Sequence, residues 1–543
     1  MKTPKQLRLA AVIVSIALIC ATSPGKRLER PKLVVVLVVD QMRADYVDRF
    51  GATWRGGLRR LIDQGAWFTN AAYPYANTVT CAGHGTVSTG DYPATHGMIN
   101  NEWWDRSTQK EVTCTGDPET SLISYGSELK PGKSGDSAWR LAAPSFAEQL
   151  RAQSRGSRVV TLSLKARAAI SLAGHHADVV TWLDGSHWAT SATYGPTRVP
   201  AIQAFIKAHP IEADFGKTWT DSPTRGGTGL GNREASMLSS EFPHALGPSA
   251  AEPTPAFYRA WAGSPFSDAY LAQMAESVVD SLELGRKSGI DFLGISFSAL
   301  DIVGHQYGPQ SAEVRSVLAQ LDETLGALLE HLDRSVGRDN YVVALSADHG
   351  VAPIPEVAAK NGTDAGRADA SAVVGAVEKA LAPFGIGKHP VATFDDSDLY
   401  FATGVYDKLK ANPKAMEAAM TAVRRIRGTA EVFRGDELAK AGEINPIAHA
   451  ASLSYFPGRS GDLIVITRPF WFFDEKKNGT WSEGTTHGSP YPYDQRVPIL
   501  LMGAAVRPGR YSNKVTPADI APMLAGLCGV AMVHTDGHPL PTR

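Results

Sequence analysis

Cysteine is scarce: four residues in 543, none of them in a C-x-x-C pair. That excludes a disulfide-built scaffold and leaves no sign of a thiolate zinc site. Net charge is nearly absent too, formally −1 at pH 7. A general nucleic-acid or polyanion surface is therefore excluded, and any affinity for phosphate must be local. A membrane span needs roughly 20 apolar residues, and the apolar run from Leu9 to Cys20 falls short of that. It follows Lys2, Lys5 and Arg8 and precedes Ala21, Thr22 and Ser23, the pattern of an export signal over residues 1–23. A periplasmic or secreted protein follows, with no stable membrane span once the signal is cleaved; retention of the segment as an anchor stays open. Cleavage would leave Cys81, Cys114 and Cys528, an odd number, so at least one thiol is free or bonded to another molecule. Cys81 and Cys114 share one early segment and make the favoured pair, although sequence does not fix it. Internal repeats, coiled-coil heptads and low-complexity tracts are missing, and nothing sets the oligomeric state beyond compatibility with a monomer.

What the chain does contain is strand–helix alternation. Lys32–Val39 is a nearly continuous apolar, β-branched run, as in a strand buried on both faces. Arg158–Leu164, Asp291–Phe297, Tyr341–Ser346 and Val497–Met502 read as strands, and so does Trp67–Tyr73. Helices are predicted at Thr53–Gln64, Pro144–Ala152, Ser267–Lys287, Ala312–Leu332 and Pro517–Leu527. In Ala312–Leu332 one side carries Val314, Leu318, Leu321, Leu325 and Leu328. The pattern predicts an α/β fold with a mostly parallel central sheet sandwiched by helices.

Two stretches depart from it. Residues about 190–260 are rich in Pro, Gly, Ser and Thr, which predicts an irregular insertion. From about 352 to 480 the alternation weakens. Strands are expected at Asp396–Phe401 and Asp462–Thr467, a helix at Pro413–Arg427, and an aromatic knot around Trp471. The organisation expected is a main domain over 32–350, an inserted cap- or lid-like subdomain with return strands over 352–480, and a C-terminal part of the main domain over 481–543.

Chemistry-bearing residues collect where the strands end. Asp40 closes the first strand, Lys165 and Arg167 follow Arg158–Leu164, and Asp301 with His305 follows Asp291–Phe297. Asp348-His349-Gly350 follows Tyr341–Ser346, and Thr486-His487-Gly488 precedes Val497–Met502. In an α/β sheet such ends are where ligands bind. Mixed carboxylate and imidazole ligands suit zinc, and three protein ligands per ion leave a position open. Two such sets make a two-metal site, with ions ~4 Å apart, that clamps the attacking and leaving oxygens of a phosphoryl transfer. Ala76-Asn77-Thr78-Val79-Thr80-Cys81-Ala82-Gly83-His84-Gly85 brings a hydroxyl into a small-residue segment able to open a helix, whose N–H groups favour an anion. Any one of these residues alone reads more simply, Thr80 as a helix cap and a lone histidine as a polar core residue. Their joint occurrence carries the weight.

Thr80-Cys81-Ala82-Gly83-His84, Asp301-Ile302-Val303-Gly304-His305, Asp348-His349-Gly350 and Thr486-His487-Gly488 resemble the alkaline phosphatase superfamily, in the branch that contains type I phosphodiesterases/nucleotide pyrophosphatases. Ser163-Leu164-Lys165-Ala166-Arg167 and Asn101 are similar to the phosphate-irrepressible (PafA-type) alkaline phosphatases, which are monoesterases. Ala82 stands where that family commonly has proline, a change that removes no reacting group.

The resemblance implies two zinc ions, one held by Asp40, Asp348, His349 and Thr80, the other by Asp301, His305 and His487. It implies Thr80 as nucleophile through a phosphothreonine intermediate, with Asn101, Lys165 and Arg167 on the phosphoryl oxygens of small phosphate monoesters. A phosphodiesterase/nucleotide pyrophosphatase is the alternative, but a diester site wants an apolar pocket in place of two extra cations. A sulfatase would show a C/S-x-P-x-R run, whereas Cys81 is followed by Ala82-Gly83-His84. A non-catalytic zinc-dependent binding protein would lack a ligand or the nucleophile, and none is missing.

Overall fold

The computed structural model describes residues 30–541, apart from 127–133, 196–197, 222–241, 248–251, 439, 441–444, 478–479 and 482–483. The expected export signal, 1–23, lies outside the described residues. Among the described residues no helix is long and apolar enough to cross a membrane.

Alternation within Leu33–Val39 divides the core in two. Leu33, Val35, Leu37 and Val39 face a layer containing helices Pro265–Leu282 and Ala312–Leu332, with Leu318, Leu321 and Leu325 buried there. Val34, Val36 and Val38 face the other layer, where Leu150, Leu172 and Leu524 come from helices Phe146–Gln153, Ala166–Ala173 and Ile520–Cys528. A strand covered on both sides needs the continuous apolar run that this one has.

The sheet has eleven strands, in the order Gly509–Val515, Ala66–Ala71, Ile499–Gly503, Tyr341–Ser346, Leu33–Val39, Asp291–Phe297, Val159–Ser163, Val179–Asp184, His187–Ser191, Gly116–Ser124 and Ser134–Asp136. The five from Tyr341–Ser346 through Val179–Asp184 are parallel. Antiparallel pairings flank them on both sides, so the sheet is mixed around a parallel centre. Ile499–Gly503 runs against its neighbours. The loop before it therefore arrives at the same edge where the parallel strands end. Ala66–Ala71 is antiparallel to Ile499–Gly503 and so also ends there.

A second, four-stranded antiparallel sheet lies in the 352–480 stretch, in the order Val391–Asp395, Asp398–Phe401, Leu463–Thr467 and Thr429–Arg434. Helices Ala370–Leu381 and Pro413–Arg424 cover it, and Val373, Val377, Leu399, Met416 and Val423 form a separate apolar cluster. The described parts of residues 190–260 are less irregular than their composition suggests. Helices Pro200–Ala208 and Pro255–Ala262 each start on a proline, and Phe205, Trp219 and Trp261 are buried in the main core. A few large aromatics secure this stretch, a signal that periodicity does not register.

One helix starts later than predicted. Gly57–Gln64 replaces the expected Thr53–Gln64 because its N-terminus is capped from another helix. Buried Asp322, on Ala312–Leu332, accepts the N–H groups of Arg55 at 2.7 Å, Gly56 at 2.6 Å and Arg59 at 3.0 Å. A side chain on Gly56 or Gly57 would collide with the backbone of Asp322 or Leu325, so the two helices touch at glycine. Asp322→Ala would strand three backbone donors and should cost ~2–4 kcal/mol. A lowered urea midpoint checks this, with Asp322→Asn, which keeps one acceptor oxygen, falling between the two.

Candidate active site

Six segments meet at the shared sheet edge. Asp40 leaves Leu33–Val39 with its N–H on Phe297 O at 3.0 Å, which ties it to the neighbouring strand end. Asp301 and His305 lie on helix Ala299–Tyr307, four residues and hence about one turn apart. Asp348 and His349 follow Tyr341–Ser346, and Lys165 stands just before helix Ala166–Ala173. His487 arrives ahead of Ile499–Gly503, and Thr80 opens helix Thr80–Thr89 after Ala66–Ala71.

Two clusters of ligand-type atoms result: Asp40, Asp348 and His349 in one, Asp301, His349 and His487 in the other. His349 is common to both. His305 reaches the second from the side, its Nε2 3.2 Å from Asp301 Oδ1, while His487 Nε2 is 4.0 Å from the same oxygen. The expected set of Asp301, His305 and His487 thus shares one carboxylate oxygen as its focus.

The donor chemistry fits metal ions. Asp40 Oδ1, Asp348 Oδ2 and His349 Nε2 are buried without a hydrogen-bond partner, and the imidazole nitrogen lies 3.5 Å and 3.4 Å from the two oxygens. Three histidines share one device. His349 Nδ1 is 2.9 Å from Gly350 O, His305 Nδ1 2.8 Å from Thr485 O, and His487 Nδ1 2.8 Å from Thr78 O. A carbonyl only accepts, so Nδ1 carries a proton and Nε2 is the nitrogen turned toward the carboxylates. Burial keeps His349 neutral by lowering its pKa, and burial together with the His349 and His305 rings lowers His487 well below the ordinary value.

The carboxylates are unequal. Burial, then Asp301 and Asp348, push Asp40 well above the usual range. Burial also opposes charge on Asp301 and Asp348. Lys165 and His305 overcome it at Asp301, and His349 and His84 at Asp348, so both lie well below that range. Lys165 Nζ bridges Asp40 Oδ2 at 2.6 Å and Asp301 Oδ2 at 2.5 Å. Its charge therefore stands between the two carboxylates, inward of the rim.

Thr80 is 1% exposed and sits in the first turn of a helix whose ten residues are all buried. No hydrogen bond of its hydroxyl is found among the described residues. It lines a cleft of about 350 Å³ together with Asn101, Arg167, Asp301, His305 and His487. Asn101 Oδ1 accepts the Cys81 N–H at 3.0 Å, and Cys114 N–H donates to Asn101 O at 2.8 Å. A Cys81–Cys114 disulfide closes this link, while Cys528 is a buried free thiol. Arg167 Nε is buried and has no hydrogen-bond partner.

Known proteins carry the same frame. The profile of the type I phosphodiesterase/nucleotide pyrophosphatase family matches residues 34–490. The chain belongs to that family. Alkaline phosphatase PafA of Elizabethkingia meningoseptica is 30% identical over 547 residues, covering 97% of this chain and 96% of the relative. Alkaline phosphatase PhoV of Synechococcus elongatus is 30% identical over 521 residues, covering 92% and 90%. The crystal structure of wild-type alkaline phosphatase PafA superimposes with a TM-score of 0.81 at 27% identity, covering 94% of this chain and 98% of that one.

In this type I phosphodiesterase/nucleotide pyrophosphatase family member, sequence reasoning passed over two residues that organise the site. Gln41, with φ of 69°, donates its backbone N–H to Asp348 Oδ1 at 3.1 Å and its Nε2 to Asp301 Oδ1 at 2.7 Å. It braces two of the three carboxylates, and its only sequence signal is adjacency to Asp40. His84, fully buried, has Nδ1 2.9 Å from Thr80 O and 3.2 Å from Asp348 Oδ2, with Nε2 2.8 Å from Ser296 Oγ. It lies one turn after Thr80 in a motif whose histidine had no assigned part.

Two motif glycines have steric reasons. A Cβ on Gly83 would strike the backbone of Asp348, and one on Gly304 the Gln41 amide. Gly83→Ala must push Asp348 away from helix Thr80–Thr89. A misplacement of about 1 Å within an active site costs on the order of 100-fold, and kcat/KM for p-nitrophenyl phosphate should fall by that amount with the far-UV circular dichroism retained.

Proposed function

We propose that this chain is a metal-dependent phosphatase that hydrolyses phosphate monoesters through Thr80, with two zinc ions in the clusters described above. The observation that carries the reading is the coincidence, at one sheet edge, of Thr80 at a helix start with the converging unbonded ligand atoms Asp40 Oδ1, Asp348 Oδ2 and His349 Nε2. Asp40, Asp348 and His349 would hold one ion beside Thr80, and Asp301, His305 and His487 the other. When bound, the ions supply Lewis acidity that favours the threonine alkoxide, offsets charge on the leaving oxygen and makes water acidic enough to attack.

The residues of the chain do the rest. Thr80 Oγ attacks phosphorus, so that a threonine–phosphorus bond forms as the bond to the leaving alcohol breaks; water then hydrolyses the phosphothreonine and restores the hydroxyl. The N-terminal turn of helix Thr80–Thr89 favours negative charge beside that oxygen. Asn101, fixed through Cys81, and Arg167, with an unsatisfied Nε in the cleft, are suited to hold non-bridging oxygens. Lys165 adds positive charge next to them. Further support comes from a PafA variant of known structure, TM-score 0.82 at 27% identity, substituted at a threonine and an asparagine 21 positions apart and at a lysine and an arginine two apart. Thr80–Asn101 and Lys165–Arg167 have the same residue types at those spacings. Export to the periplasm or medium belongs to the same proposal, resting on the signal-like N-terminus.

Two measurements test the reading. Dialysis against a chelator should abolish hydrolysis of p-nitrophenyl phosphate and zinc should restore it; full activity in metal-free protein refutes the metal assignment. The second separates monoesterase from diesterase. Each charge-assisted contact is worth ~1.5–3 kcal/mol, roughly ten- to a hundredfold. Lys165→Ala/Arg167→Ala at matched zinc occupancy should therefore depress kcat/KM for p-nitrophenyl phosphate by orders of magnitude and spare bis-p-nitrophenyl phosphate. Equal loss on both substrates, or on neither, overturns the monoester assignment.

A further inference from the structure

The floor of the 350 Å³ cleft and its rim have opposite character. On the floor, Arg167 carries a buried Nε without a hydrogen-bond partner, and Thr80, 1% exposed, lines the same cleft, an arrangement suited to a phosphoryl group. The walls are Phe394, Phe472 and Phe473, and the rim carries Asp395, Asp396 and Glu475. Asp474, held by Arg367 Nη1 at 2.9 Å, lines the cleft as well. Asp395 and Asp396 sit at the hairpin joining Val391–Asp395 to Asp398–Phe401, with Asp396 at φ 49° in its turn. The second sheet therefore supplies carboxylates to a cleft whose floor is formed by the first. Glu102 and Glu111 add negative potential behind Asp395, and Arg167 opposes it at Glu102.

A phosphoryl group on the floor directs its ester oxygen and alcohol toward these walls and this rim. We infer that the rim selects the leaving group by charge: monoesters of neutral or ammonium-bearing alcohols are favoured substrates, and those whose alcohol carries a carboxylate or a second phosphate are disfavoured. This deepens the phosphatase reading and rests on it. Aromatic walls accept an apolar or ammonium group, which is attracted to ring faces, whereas a second anion gains nothing from them. Burial, then repulsion from Asp396, Glu111, Asp398 and Glu102, push Asp395 up to about 8, so its carboxylate is fully charged only on the alkaline side.

The test uses zinc-loaded protein above pH 9 and three substrates: phenyl phosphate, 4-(trimethylammonio)phenyl phosphate and 4-carboxyphenyl phosphate. Asp395→Asn/Asp396→Asn removes the charge and keeps a residue that tolerates the positive φ at 396. Differences in alcohol acidity cancel when the variant is divided by wild type. The cationic-to-anionic ratio of kcat/KM, each normalised to phenyl phosphate, should fall roughly five- to thirtyfold in the variant. In wild type, raising salt from about 50 to about 500 mM should compress the same ratio through screening, and in the variant it should do so much less. A ratio unmoved by both substitution and salt overturns the inference, as does an equal loss on all three substrates, which would mark a structural role. Failure of wild type to hydrolyse phenyl phosphate would sink the phosphatase reading itself, a result distinct from either.

Discussion

Three carboxylates that burial has taken out of water, Asp40, Asp301 and Asp348, govern this site. At 4 Å two like charges repel by about 4 kcal/mol at an effective dielectric of 20, and burial adds its own penalty to each ion. The surrounding structure meets this in several ways. Lys165 stands between Asp40 and Asp301, Gln41 donates to both Asp301 and Asp348, and His84 approaches Asp348 from the nucleophile's helix. These contacts leave Asp40 Oδ1 and Asp348 Oδ2 unsatisfied. One lysine does not balance three carboxylates, and the raised pKa of Asp40 relieves only part of the excess, so the arrangement favours further positive charge. Divalent cations meet that requirement with the least volume.

Topology explains why such a costly cluster can be assembled at all. Strand ends in a parallel sheet are rigid, close together and open at one edge, so Asp40, Asp348 and the segment carrying Asp301 are neighbours by construction. The reversed strand Ile499–Gly503 then brings His487 to the same place from a distant part of the chain. Contact between these loops is closer than side chains allow, which is why Gly83 meets the Asp348 backbone and Gly304 meets Gln41. Each glycine sits beside a residue with a proposed chemical part and has none itself.

The parallel centre was legible because strands buried on both faces must be apolar throughout, and Leu33–Val39 is. So was the gathering of aspartates and histidines, since strand ends are predictable once strands are. Legibility stopped where a feature depends on contacts remote in sequence. Gln41 has no pattern of its own, because its value comes from Asp301 and Asp348, 260 and 307 positions away. Helix Gly57–Gln64 starts late because of Asp322, 266 positions from Gly56. Among the described residues of 200–262, the buried aromatics Phe205, Trp219, Phe257 and Trp261 take the place of a periodic face, and composition alone reads as irregular.

The second sheet connects to the floor of the cleft as well as to its rim. Buried Asp398 accepts from Asn100 Nδ2 at 3.4 Å and from Ser397 Oγ at 3.1 Å, while Asn77 Nδ2 donates to Asn100 Oδ1 at 3.1 Å. Asn77 lies three residues before Thr80, and Asn100 directly precedes Asn101. One polar chain therefore runs from the hairpin carrying Asp395 and Asp396 to the segments carrying the proposed nucleophile and its proposed phosphate ligand. A buried polar group left unpaired costs far more than a paired one contributes, so the hairpin cannot shift without disturbing Asn77 and Asn100. The rim is thereby held in register with the floor, and a charge at Asp395 or Asp396 acts from a set distance, which selection by electrostatics requires.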